Sequence, residues 1–118
     1  MQYEKLTQAG MDVDGLLNRL MGNASLIRLF TQKFIQDKTF EKLTAAFAAG
    51  DMAAAEMASH TLKGMCGNLS MTELYRQFTE QTNLIRAGEY AKAEEMMPEI
   101  TVCYQRALDG MNAFLAEK

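Results

Sequence analysis

Apolar residues recur along this chain at intervals of three and four, the spacing of one helical face, and no alternating stretch is long enough for a strand. Val13, Leu16, Leu17 and Leu20 share one face of a short amphipathic segment that starts after Asp12 or Asp14. Gly22 ends it, and Asn23 is placed to cap the next helix. That helix carries Leu26, Leu29, Phe30 and Phe34, then Phe40, Leu43 and Phe47. It either runs unbroken to about Ala49 or bends at Asp37-Lys38-Thr39. Gly50 and Asp51 place a C-cap directly before an N-cap. A third helix follows from 51 to about 69, then a turn at Ser70-Met71-Thr72, then a fourth helix from 72 to 87 with Leu74, Phe78, Leu84 and Ile85 inward. Beyond Gly88 and Glu89, the last helix shows Ala93, Met96, Met97, Ile100, Tyr104, Leu108, Met111 and Leu115 at a period near 3.6. Pro98 should kink or restart it, because proline lacks the amide its turn needs. Short connections between long helices make antiparallel neighbours. The pattern predicts an all-α fold, an antiparallel up-and-down four-helix bundle with a short N-terminal helix packed against it.

Composition narrows the function classes. The chain has 118 residues, the size of one domain that buries a core without staples. Its net charge is −3 with no basic block, so neither nucleic acid nor an anionic membrane surface is expected as a partner. No apolar run reaches the roughly 18 to 20 residues of a membrane span, and MQYEKLTQAG lacks the apolar stretch of a signal peptide. Cys66 and Cys103 lie far apart with no CxxC pairing, which suits free thiols in a cytoplasmic protein. With a single histidine, neither a zinc site nor a carboxylate-bridged metal bundle is expected.

One segment carries chemistry: residues 58–70, ASHTLKGMCGNLS. On a helix, with His60 at zero, Ala58, Leu62, Met65 and Leu69 fall at roughly 140° to 200° and form the core stripe. Ala53, Glu56, Lys63, Gly64 and Gly67 lie within about 60° of His60. His60 therefore points to solvent. Glycine inside a helix costs about 0.5 to 1 kcal/mol relative to alanine, and two of them share the face of the only histidine. Without Cβ atoms they leave room for another protein's backbone. Lys63 adds a cation one turn from the imidazole. The alternative weighed against this is ordinary: a surface histidine, glycines for helix packing, and a lysine that happens to be near.

HTLKG followed by GNLS resembles the signature of histidine-containing phosphotransfer (HPt) domains. The likeness extends from about residue 12 to 116, through AAFAAGD before the motif helix, the AGE break at 87–89, and the Met97-Pro98 step. It implies that His60 is the phosphorylated residue, that Lys63 helps neutralise the phosphoryl group, and that Gly64 is the small position leaving room for the partner. Gly67 matches a further position where small residues are usual. The chain departs from the family at Ser70, where glycine is common, and at Gln77 and Gln81, where leucines are common. Thr82 stands where members carry Glu or Gln, a side chain that in some hydrogen-bonds near the phosphohistidine. Thr82 is shorter, and Gln81 is a candidate substitute. Gln77 and Gln81 read equally well as polar residues of the seam with satisfied amides.

The resemblance further implies a phosphorelay intermediate of two-component signalling, accepting a phosphoryl group from the aspartyl phosphate of a receiver domain and passing it to another. Partners would be response-regulator receiver domains and a histidine or hybrid kinase. The chain would bind no cofactor, the magnesium ion residing in the receiver, and would work as a cytoplasmic monomer. It has no glycine-rich nucleotide-binding stretch and no room for an ATP domain, so a phosphocarrier rather than a kinase is expected. The competing reading is a non-phosphorylated helical adaptor that docks a partner through the same face.

Overall fold

The computed structural model describes residues 3–117, which form eight α-helices and no strand. The short ones come first, α1 (Glu4–Gln8) and α2 (Val13–Arg19). The first long helix is split into α3 (Ala24–Gln36) and α4 (Thr39–Ala49). Two unbroken helices follow, α5 (Met52–Asn68) and α6 (Thr72–Arg86), and the last is again split, into α7 (Tyr90–Glu95) and α8 (Met97–Ala116).

The breaks have local causes. Asp37 leaves helical backbone at ψ 141°, and its carboxylate accepts the Thr39 N–H at 2.7 Å, so one residue ends α3 and begins α4. The bend, not the unbroken helix, is the outcome at 37–39. Asn23 and Asp51 cap α3 and α5 as their types predict, accepting the Leu26 and Ala54 amides at 3.2 and 3.1 Å. Gly50 supplies the left-handed turn between α4 and α5, at φ +70°. Pro98 sits in the first turn of α8, where a missing amide costs nothing, so the last helix restarts there.

Split helices and all, the chain makes a four-helix bundle. α5 packs between α4 and α6, α6 packs on α7 and α8, and α3 packs on α8. Ile27, Leu43, Leu62, Phe78, Ile100 and Met111 are fully buried between them. The Phe40 and Tyr104 rings stack at 4.1 Å, with Phe34 5.5 Å from Tyr104, which ties both halves of the first helix to α8.

The N-terminal region differs from expectation. α2 is the short helix foreseen after Asp12, and Asp12 caps it by accepting the Gly15 N–H. The additional helix α1 was not foreseen; it lies on α8 with Leu6 and Ala9 buried. The segment between them and the last residue of α2 are stitched to the end of α5. The Asp12 N–H donates to the Ser70 carbonyl at 2.8 Å, and Arg19 donates to the carbonyls of Gly67 and Asn68 at 3.0 and 2.9 Å and to the Ser70 hydroxyl. A cation on the last carbonyls of a helix also suits its dipole. Ser70, where glycine is common in the resembled family, does adopt left-handed backbone at φ +55°.

Candidate functional site

α5 presents three sides. Ala55, Ala58, Ser59, Leu62, Cys66 and Leu69 are buried, an arc of roughly 160° to 260° from His60. The expected core stripe is therefore shifted towards α6. Ser59 and Cys66 belong to it, while Met65 sits only half-buried at the edge of a groove shared with Leu20, Phe30 and Phe34. Burial pushes the Cys66 thiol up to about 12, which keeps it protonated and unreactive.

His60 is exposed and makes no hydrogen bond or ion pair with the described residues. Lys63, one turn on, is half-buried, and its ammonium has no partner among them. A Cβ built on Gly64 meets nothing within 4 Å. Helix packing thus gives no reason for glycine there. Gly64→Ala is expected to raise stability by about 0.4 to 1 kcal/mol, chiefly by restricting the unfolded chain. Thermal unfolding checks this, and a clear drop in melting temperature would contradict it.

Gly67 behaves differently. A Cβ there would lie 3.0 and 3.1 Å from the Tyr75 ring on α6. The space expected to serve a partner is occupied by a side chain of this chain, so Gly67 is a packing glycine. Tyr75 itself is 43% exposed and extends the histidine face onto α6. Met57, one turn before His60, is 72% exposed. Neither was picked out in the sequence: Met57 by its spacing from His60 would have been accessible to that reading, but Tyr75 is brought in by tertiary register.

Of the two readings of Gln81, the seam polar with a satisfied amide holds and the contact with the histidine does not; Thr82 makes no such contact either. Both are buried. Gln81 accepts the Ser59 hydroxyl at 2.9 Å and donates to the Ala93 carbonyl at 3.1 Å, with the Met97 sulfur 3.2 Å from the same nitrogen. The Thr82 hydroxyl donates to the Phe78 carbonyl at 2.7 Å, with the Ser59 oxygen at 3.0 Å. This network fastens α5, α6 and α7 together beneath the residue that precedes His60. Gln77 is buried too; its amide nitrogen contacts the Cys103 sulfur at 3.6 Å, and its oxygen has no partner among the described residues.

One cross-helix ion pair borders the histidine. Arg86 Nε donates to Glu56 Oε2 at 3.2 Å, and both side chains are about half exposed. The imidazole thus has beside it an ammonium with no partner among the described residues and, at Gly64, clear space.

A family model, the Hpt domain, matches residues 26–111, which takes in all but the first two residues of α3, the whole of α4 to α7 and most of α8, and leaves α1 and α2 outside. No curated protein and no solved structure matches the chain.

Proposed function

The chain belongs to the Hpt domain family, and from that premise we propose that His60 receives a phosphoryl group from the aspartyl phosphate of one receiver domain and yields it to another. Domains of this family are phosphocarriers of two-component phosphorelays that lack kinase activity of their own. The observation that carries the residue assignment is local. The only histidine of the chain is exposed on a helix fixed from both sides, between the Lys63 ammonium and an unobstructed glycine, and neither His60 nor Lys63 has a partner among the described residues.

The chemistry asks little of the bundle. A neutral ring nitrogen is a competent nucleophile. Its lone pair forms the N–P bond, the P–O bond to aspartate breaks, and aspartate leaves as a carboxylate; transfer onward is the same step reversed. Such transfer depends on positioning and charge stabilisation. In this reading the receiver supplies magnesium and the aspartate, a histidine or hybrid kinase starts the relay, and the chain acts as a cytoplasmic monomer. No described helix is long and apolar enough to cross a membrane.

Incubation with a receiver carrying labelled aspartyl phosphate tests the reading. Label should move to the chain in an acid-labile, base-stable form; label that stays on the receiver overturns it. Two variants examine its parts. Lys63→Ala should slow the exchange while moving stability by less than about 0.5 kcal/mol, and unchanged kinetics would make Lys63 a bystander. Gly64→Leu should remain helical yet lose exchange, because its side chain enters the space the receiver needs. A Gly64→Leu chain that exchanges at the parent rate would remove the access argument.

A further inference from the structure

We propose that Arg86 is a second cation for the phosphoryl group on His60, held beside the site by Glu56 until that group arrives. The inference rests on the reading of His60 given above and adds a residue to it.

Three features place Arg86 there. Glu56 is four residues before His60 on the same face of α5, so their Cβ atoms are about 5 to 6 Å apart. Helical side chains lean towards the N-terminus of their own helix. The imidazole therefore leans over the turn that holds Glu56 and Met57. α6 runs antiparallel to α5, in a register read from three pairings: Gly67 against Tyr75, Ser59 with Thr82, and Glu56 with Arg86. Arg86, leaning towards the N-terminus of α6, thus leans towards the level of His60. The two side chains converge from opposite directions.

The existing pair is easily exchanged. Arg86 meets Glu56 through Nε alone, and its two terminal nitrogens make no hydrogen bond with the described residues. Exposed pairs of this kind contribute little. A phosphoryl group carries about −1.5 to −2 charge against the single charge of a carboxylate, and a guanidinium engages it through two parallel hydrogen bonds. Before phosphorylation Arg86 cancels the repulsion that Glu56 would exert on an incoming anion. Afterwards it moves one turn along α5 to the phosphoryl oxygens and leaves Glu56 in solvent.

Phosphorylation of the full chain with phosphoramidate tests this without any docked protein, since a ring nitrogen of His60 displaces ammonia from phosphorus. Arg86→Gln should slow the reaction by about three- to tenfold, because Glu56 is left unmasked. Glu56→Gln should speed it by a similar factor, because Arg86 is released, and Arg86→Lys, which keeps the charge and loses the fork, should fall between the parent and Arg86→Gln. Both differences should shrink at high salt. A merely structural pair predicts the opposite pattern: both single variants break the same link between α5 and α6 and move the rate in the same direction. That result, or an Arg86→Gln rate equal to the parent's, overturns the proposal while leaving His60 as the phosphorylated residue. A parent chain labelled by neither phosphoramidate nor a receiver overturns the underlying reading, and this proposal with it.

Discussion

A His60→Gln variant is expected to fold as the parent does and to take no phosphoryl group from any donor. The side chain is exposed and makes no hydrogen bond or ion pair with the described residues, so its replacement removes nothing from the core. Changes at such positions usually stay within about 0.5 kcal/mol. A glutamine amide nitrogen has no free lone pair with which to attack phosphorus, and no other histidine exists in the chain to substitute for it. The loss should therefore be complete rather than partial. In the parent, the adduct should be released in acid, where protonation makes imidazole a good leaving group, and should survive base. Label retained by the variant, at any stoichiometry comparable to the parent, would place the acceptor elsewhere.

Gly110→Ala should produce the largest loss of stability among the single methyl additions considered. A Cβ at this position of α8 would lie 2.5 Å from the Ala9 Cβ, 2.7 Å from the Lys5 carbonyl oxygen and 3.0 Å from the Ala9 Cα. Two of those three contacts are with backbone, which cannot turn aside as a long side chain can. Either the core absorbs an overpacking cost of about 1 to 3 kcal/mol, or α1 lifts away and Leu6 loses its burial. Both lower the melting temperature by several degrees. Ala9→Gly should restore only part of the loss, since the Lys5 carbonyl remains in the way. Phosphate exchange through His60 should be retained in the folded protein. The comparison with Gly64→Ala is informative because the same methyl, added to two helices, is expected to act with opposite sign. A Gly110→Ala protein that melts with the parent would mean that α1 is not seated on α8 as described.

Local patterns sufficed for the helix ends and for the direction of His60. Asn23, Asp51 and Gly50 mark helix ends through hydrogen bonds and backbone angles confined to a few residues. The outward direction of His60 followed from the apolar stripe on its own helix. The failures each depended on a second element. A helix of five residues is too short to form alone, and α1 exists because Leu6 and Ala9 find α8. Its signal was Gly110, which periodicity shows only as a glycine inside a helix. Ser59 and Cys66 were absent from the expected stripe because a small polar residue and a thiol do not announce burial, though the seam with α6 buries both. Gly64 and Gly67 are indistinguishable on the wheel of α5; Tyr75 separates them, and its position depends on the α5–α6 register. The same register decides Gln81 and Thr82. Their types left a contact with the histidine and a place in the seam both open, and the register puts them against Ser59, Phe78 and Ala93 inside the seam.

A three-protein relay followed by rapid quenching tests whether His60 carries a phosphoryl group between two receiver domains. A labelled donor receiver, the parent chain and an unlabelled acceptor receiver are mixed, and the label on each is followed in time. The expected record is label leaving the donor, rising and falling on the chain as an acid-labile adduct, and then accumulating on the acceptor, with no accumulation when His60→Gln replaces the parent. Label reaching the acceptor at the same rate with the His60→Gln chain, or never appearing on the parent, would contradict the account.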